Sequence, residues 1–520
     1  MRSISRISIS IIIGMLIALP VMLHAETKLS QDIKSLINGA NYKQSHWGIL
    51  VSDLKSGKTI YELNADKLFG PASTTKLFSM AAGLDALGAG YRFETPVYRT
   101  APVNNKGILE GNLILVASGD LTMGGRTDAE GHIAYTGMDH TDAGMDGPLS
   151  AVLTRQDPLA GINNLARQVA ASGIKRVNGD VIIDDRLFEI SSDGKEFVRT
   201  PITVNDNLID FVITPTTPGM AATVDWRPRT AFYTVKSQVK TVAKTESPQI
   251  AITSGGPHII TVEGSVPAEG NPFIRVWQVK EPSSFARTLL IEALKREGVT
   301  VKAGSLGKNP SERLPARNAY ASKNRVALFK SPPYSEQVKL ILKVSHNLGA
   351  DITPLLVAAK NGKRTFEEGM ALERGFLELA GVNVTTISLS DGEGGDRSDL
   401  VTPQAVVQLL RYMTGNRNFT AYHDALPILG VDGSLAHNVP PDSPARGKVH
   451  AKTGTIVTGD LLNLRPLLLV KGLAGYMTAA SGRKLAFAVY VNNVPLKELN
   501  DIVQVGNDLG TLAETIYIAE

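Results

Sequence analysis

The 520-residue sequence contains no cysteine. No disulfide can staple the chain, no thiolate is available as nucleophile or metal ligand, and no N-terminal lipid can be attached through sulfur. Long apolar runs are missing too, and nothing reaches the eighteen consecutive apolar residues that mark a membrane span. Charge of one sign is scarce: the formal net charge is +4, too weak a bias to argue for nucleic acid. The patterns G-x-S-x-G, H-E-x-x-H and G-x-x-x-x-G-K-[ST] do not occur, so hydrolase-elbow, zincin and P-loop chemistries lack their sequence signatures. Apolar content of 43% and charged content of 20% are those of an ordinary globular chain, which excludes a disordered or fibrous protein.

Arg2 and Arg6 precede an apolar stretch from Ile11 to Leu23, and Leu23-His24-Ala25 closes it on a small residue before Glu26. This pattern is a secretory signal peptide over residues 1–25, with an uncleaved anchor as the alternative, and it implies a periplasmic protein with no stable span after cleavage. What remains is too long for a single core and should fold as several domains.

Three short strings carry the chemistry: Ser73-Thr-Thr-Lys76, Ser345-His-Asn347 and Lys452-Thr-Gly454. S-x-x-K matches at seven serines, namely Ser52, Ser73, Ser172, Ser192, Ser237, Ser305 and Ser481, so the bare pattern selects nothing. Context selects Ser73. Pro71 suits a first helical turn and a long Ala-rich apolar run follows, whereas the other matches sit in turns, a helix end or polar extended segments. A serine and a lysine three residues apart at a helix start share one face, and the helix field favours negative charge developing on the serine oxygen. Lysine accepts a proton only when neutral, a state that burial and a second cation favour. Lys76 is the candidate base and Lys452, on a strand-like segment, the second cation. Ser345 and Asn347 would complete a proton relay and hold a substrate amide. Gly454 leaves room for a substrate backbone at the strand edge, Thr453 and Thr455 offer hydroxyls to a substrate carboxylate, and the Ser73 and Thr455 amides could form an oxyanion hole.

Leu29, Ile33, Leu36 and Ile37 recur at helical spacing, followed by strands from His46 and Thr59 that form a hairpin. Near the other end, Leu473–Thr478 and Lys484–Asn492 form a second hairpin, and Ile502, Val505, Leu509, Leu512 and Ile516 mark a closing helix. The two hairpins and the Lys452 strand predict a five-stranded antiparallel sheet flanked by terminal helices, an α+β arrangement. About half the chain separates Lys76 from Ser345, and most of it is β-rich, with helices expected near 159–172 and 282–297. The organisation expected is a discontinuous catalytic domain, 26–80 and 330–520, interrupted by an inserted β-rich region, 81–329, of two nested domains that wall the cleft without supplying chemistry. Glu130-Gly-His132 and Asp139-His140-Thr-Asp142 read as a solvated, mobile loop, since their spacing matches no metal-ligand set. Trp47 and Phe69 read as core.

With these residues in place the chain resembles the low-molecular-mass class C penicillin-binding proteins, the D-alanyl-D-alanine carboxypeptidase/endopeptidase family. Further points of likeness are Gly119-Asp120, Gly179–Asp185, Asn205-Asp-Asn207, Ser331-Pro-Pro-Tyr334, Gly430–Gly433 and the large insertion itself. The resemblance implies a penicillin-binding, serine β-lactamase-like transpeptidase fold and no cofactor or metal. It further implies acylation of Ser73 by peptidoglycan muropeptides, with β-lactams as acylating inhibitors. A β-lactamase or β-lactam sensor on the same chemistry, or a degenerate cell-wall-binding relative, are the alternatives. Two features depart from the family: Glu393, in Asp391-Gly-Glu-Gly-Gly-Asp396, stands where a serine is usual, and the Leu-rich stretch Ile456–Lys471 is longer.

Overall fold

The strand-forming stretches at the two ends of the chain meet in one sheet. In the computed structural model, which describes residues 31–143, 151–192 and 197–520, five antiparallel strands lie in the order Val449–Asp460, Arg465–Thr478, Lys484–Pro495, His46–Asp53, Thr59–Leu63. The signal-peptide segment and Leu29 fall outside the described residues. The two central strands are covered on both faces, and side chains alternate between them with the period of a strand. Trp47, Ile49, Val51, Phe487 and Val489 join one core with the terminal helices Gln31–Ile37 and Asp501–Ala519. Leu50, Ala486, Ala488 and Tyr490 face the opposite way, into a second core with the helices Lys76–Leu87 and Pro403–Met413. Small residues on that face let the helices approach closely.

The helix Lys76–Leu87 is buried from Lys76 to Leu84, so it runs through the interior of the catalytic core with the helices Tyr334–Lys343 and Asn347–Lys360 against it. It continues seven residues past position 80, and the chain leaves the core only after its end. The insertion departs on the strand Glu94–Arg99 and returns on Arg325–Lys330, which pair antiparallel, so its two ends are tied together. Two further strands, Leu113–Val116 and Val181–Asp184, complete that sheet, and three smaller three-stranded sheets lie beyond it. The helices Ala160–Ala171 and Pro282–Arg296 match the positions expected. Most buried apolar residues between Val97 and Ala327 join one cluster, with Ala143, Ala151 and Ile274 in a small separate one and Leu121, Ile133 and Phe188 packed into the core of the helix Lys76–Leu87.

The Leu-rich stretch is the distal end of the hairpin Val449–Asp460/Arg465–Thr478, past an irregularity between Ile456 and Val457. At its tip Leu461, Leu462 and Leu464 are 85–91% exposed. Among the described residues no helix is long and apolar enough to cross a membrane.

Candidate active site

Three elements converge beneath one end of the sheet and bring the sequence-selected residues together. Ser73 lies on the 3₁₀ turn Ala72–Thr75 that opens directly into the helix starting at Lys76. Ser345 and His346 precede the helix Asn347–Lys360, and Lys452 lies in the edge strand Val449–Asp460. Lys76 is fully buried, and its Nζ is 2.9 Å from Ser73 Oγ, 2.8 Å from Asn347 Oδ1 and 2.9 Å from the Glu393 carbonyl. Lys452, also fully buried, donates to Ser345 Oγ at 3.0 Å and to its neighbour Thr453's carbonyl at 2.8 Å.

Burial pulls Lys76 down to about 8, against the upward pull of the carboxylates of Glu393, Asp391, Asp142 and Asp351. Burial pushes Lys452 well below its ordinary value, and the nearby charge of Lys76 adds to the effect. Two ammonium groups buried together repel, so the pair titrates as a unit and one lysine is available as a base near neutral pH.

The strand carrying Lys452 packs on the nucleophile turn more tightly than its sequence suggests. A Cβ on Gly454 would lie 2.4 Å from the Pro71 carbonyl oxygen and 3.3 Å from the Ser73 amide nitrogen. The missing side chain therefore first admits the Ser73 turn, not a substrate backbone. The Thr453 hydroxyl is 2.7 Å from that of Ser434, and the Thr455 hydroxyl accepts from Lys471 Nζ at 2.9 Å. Lys471 escaped the sequence reading although the hairpin pairs it directly across from Thr455. Burial lowers it to about 8.

The loop carrying Glu393 closes the back of the site. Asp391 accepts backbone N–H groups from Glu393, Gly394, Gly395 and Asp396 at 2.5–3.1 Å, which holds the loop in a tight nest. A Cβ on Gly394, whose φ is +90°, would lie 1.9 Å from the Ala72 carbonyl oxygen, so the loop backbone presses on the nucleophile turn. Carboxylate oxygens of Asp351, Asp391 and Glu393 lie within 4.8 Å of one another. Arg199 pairs with Asp351 at 2.5 Å, and the four amides on Asp391 offset its charge.

The stretch read as a solvated loop is instead built into the site. Asp139 and His140 are 1% and 5% exposed. Arg126 clamps Asp139 through two bonds of 2.6 and 2.9 Å and also reaches Asp206 at 2.7 Å. His140 bridges Asp206 at 2.7 Å and Asp210 at 2.6 Å; burial opposes its charge, but the two carboxylates hold its pKa up at about 10. The neighbouring Asp142 acts electrostatically on both Lys76 and Lys452, and burial with Asp139 beside it pushes its carboxyl up to about 6. The spacing of these residues carried no signal, because the groups of opposite charge that pair with them come from other segments at unrelated distances along the chain. His132, by contrast, is exposed, and Trp47 and Phe69 are core residues.

Comparison with known proteins gives the family and the overall fold. The chain is 27% identical over 492 residues to a D-alanyl-D-alanine carboxypeptidase of Actinomadura sp. (strain R39), covering 90% of this chain and 81% of that one. It is 24% identical over 530 residues to the D-alanyl-D-alanine carboxypeptidase DacB of Haemophilus influenzae, covering 96% and 95%. The crystal structure of penicillin binding protein 4 (dacB) from H. influenzae superposes with a TM-score of 0.70 at 22% identity, covering 94% of this chain and all of that one. The same protein complexed with a β-lactam gives a TM-score of 0.66 at 23% identity over 91% and 97% of the two chains. The fold is thus the α+β penicillin-binding fold. The model of the D-Ala-D-Ala carboxypeptidase 3 (S13) family matches residues 29–509, and the chain belongs to that family of serine peptidases.

Proposed function

We propose that the protein is a periplasmic D-Ala-D-Ala carboxypeptidase that also cleaves D-Ala cross-links in peptidoglycan, working through an acyl-enzyme at Ser73. The observation that carries this reading is the fully buried Lys76 with its Nζ 2.9 Å from Ser73 Oγ. In the first step Ser73 Oγ bonds to the carbonyl carbon of the penultimate D-Ala and its proton passes to Lys76. The oxyanion is received by the Ser73 and Thr455 amides. The C–N bond to the terminal residue then breaks, and Lys452, through Ser345, supplies the proton that the leaving amine takes up. The proton on Lys76 passes back to Lys452, and the neutral Lys76 takes a proton from the water that attacks the ester and returns it to Ser73 Oγ as the ester C–O bond breaks and the product acid leaves.

The substrate itself sets the proton inventory. Its terminal carboxylate would dock among the hydroxyls of Thr453 and Thr455 and the amines of Lys452 and Lys471. A negative charge there stabilises the shared proton on Lys452 and leaves Lys76 neutral, which is the state a base requires. β-Lactams carry the same carboxylate beside a strained amide and would acylate Ser73 by the same route. Fluorescent penicillin should label the protein one-to-one, with peptide mapping placing the adduct on Ser73. Undiminished labelling of Ser73→Ala, or an adduct on another residue, sinks the assignment.

A further inference from the structure

The middle residue of the second motif joins the catalytic domain to the insertion. His346 is 1% exposed, and its Nδ1 accepts the backbone N–H of Gly349 at 3.0 Å, capping the helix that begins with Asn347. With Nδ1 used as an acceptor, the ring proton must sit on Nε2, which donates to Asp206 Oδ1 at 3.1 Å. The other Asp206 oxygen takes Arg126 at 2.7 Å and His140 at 2.7 Å. Burial works against the Asp206 charge, but Arg126 and the hydrogen bonds from His346 and His140 hold its carboxyl well below the usual range.

Both ends of this bridge are conformationally expensive. Asn205, Asp206 and Asn207 adopt left-handed backbone in succession, with φ of 53°, 53° and 54°, and Ser345 does so at 63°. Non-glycine residues persist in that region only where their surroundings over-determine them. Side-chain bonds do so here: Asn205 Nδ2 donates to the Leu208 carbonyl at 2.9 Å, and Asn207 Oδ1 accepts the Val204 amide at 3.1 Å. On the far side of the bridge, Ser345 and Asn347 are the residues that hold Lys452 and Lys76.

We propose that the insertion positions the catalytic centre, with Asp206, mounted on Arg126 and His140, fixing the His346 ring and thereby the placement of Ser345 and Asn347. His346 and Asp206 are positioning residues, since neither touches the reacting atoms. The inference rests on the Ser73 reading above and assigns the insertion a role beyond walling the cleft.

Two substitutions separate the two bonds of the imidazole. His346→Asn keeps a short oxygen able to cap Gly349 but cannot reach Asp206. His346→Gln is long enough to donate to Asp206 but gives up the cap. Second-order acylation by penicillin should fall about 10²-fold or more in His346→Asn, the scale of a misplacement near 1 Å, with its melting temperature close to wild type. His346→Gln should acylate at least tenfold faster than His346→Asn.

The pH profile distinguishes positioning from mere support. Lys76 is faced by Ser73, Asn347, the Glu393 carbonyl, the carboxylates of Asp351, Asp391, Glu393 and Asp142, and by Lys452. Displacing Asn347 removes an acceptor that stabilises the ammonium form, so the acid limb of acylation should move to lower pH as its plateau drops. Equal rates for the two variants, the reverse ranking, or a lowered plateau with an unmoved limb would each overturn the proposal. Should His346→Asn not fold, Asp206→Asn takes its place, because its amide would turn an N–H toward Nε2, and unchanged acylation there overturns it equally. Labelling of wild-type Ser73 is measured in parallel, so failure of the nucleophile assignment shows itself separately.

Discussion

Replacing Gly454 by alanine tests how closely the third motif must lie against the nucleophile. The new Cβ would stand 2.4 Å from the Pro71 carbonyl oxygen, 3.1 Å from the Ala72 Cβ and 3.3 Å from the Ser73 nitrogen. A carbon–oxygen contact relaxes to roughly 3.4 Å, so strand and turn must part by about 1 Å. That displacement acts directly on the distance between Lys452 and Ser73 and on the two amides assigned to the oxyanion. Misplacement of this size costs on the order of 10²-fold in rate, and overpacking of a tight contact costs about 1–3 kcal/mol of stability. The backbone of Gly454 is extended, so strain at alanine itself adds nothing. Gly459, in the same strand, provides the control: its nearest neighbour to a new Cβ is the end of Leu461, 3.9 Å away. Gly454→Ala should therefore lose about 10²-fold in penicillin acylation, measured by stopped-flow or gel-resolved labelling, while Gly459→Ala keeps wild-type rates. A Gly454→Ala protein that acylates within about threefold of wild type would refute the claim that this spacing governs the chemistry.

Lys76→Ala should abolish acylation as completely as Ser73→Ala, and the double variant should be no worse, because a nucleophile and its base act as one unit; a single variant within about tenfold of wild type, near 1.4 kcal/mol, removes Lys76 as the base. Since burial lowers Lys76 from 10.5 to about 8, acylation should rise as pH is raised toward 8, and fall again at higher pH once Lys452, also held below its ordinary value, loses the proton it supplies. The same shift makes the folded protein bind fewer protons than the unfolded chain between about 8 and 10.5, so its stability contribution should increase with pH across that window, which chemical denaturation at several pH values would read. Changing Leu461, Leu462 and Leu464 together to asparagine should leave acylation unaltered and raise the protein concentration at which aggregation begins, as light scattering would report, because these side chains contribute exposed apolar surface and no packing.

The catalytic core was legible because its information is local. Ser73 and Lys76 are three residues apart at a helix start, the turn and helix periods are visible in the apolar pattern, and the K-T-G string lies on a strand whose partners follow in order. Lys471 was recoverable in principle: once the hairpin is closed through its turn, cross-strand register places it opposite Thr455. The irregularity between Ile456 and Val457 shifts that register by one, and a one-residue slip in a strand turns a side chain to the other face. The end of the helix Lys76–Leu87 is local information too: Gly88 follows it with φ +86° and its N–H on the Leu84 carbonyl.

Asp139, His140 and Asp142 show where local reading fails. Acids and a histidine in a glycine-rich stretch read as solvated, because burying a charge without a partner is prohibitively costly. The partners exist, but they arrive from elsewhere: Arg126 lies 13 residues before Asp139, Asp206 lies 66 residues after His140, and Asp210 lies 70 after it. Asp139 and His140 are buried with complements that other segments of the insertion bring, while Asp142 faces His346, Lys76 and Lys452 of the catalytic domain, and no spacing rule relates them. The same cluster changes what the insertion is for. With every motif residue outside it, the insertion reads from sequence as a wall beside the cleft. Yet one of its buried charged groups, Asp206, is bonded to the residue between Ser345 and Asn347. The positions of those two side chains then depend on the folded insertion as much as on the helix that carries them. Substrate access and catalytic geometry are therefore two properties of one packed unit.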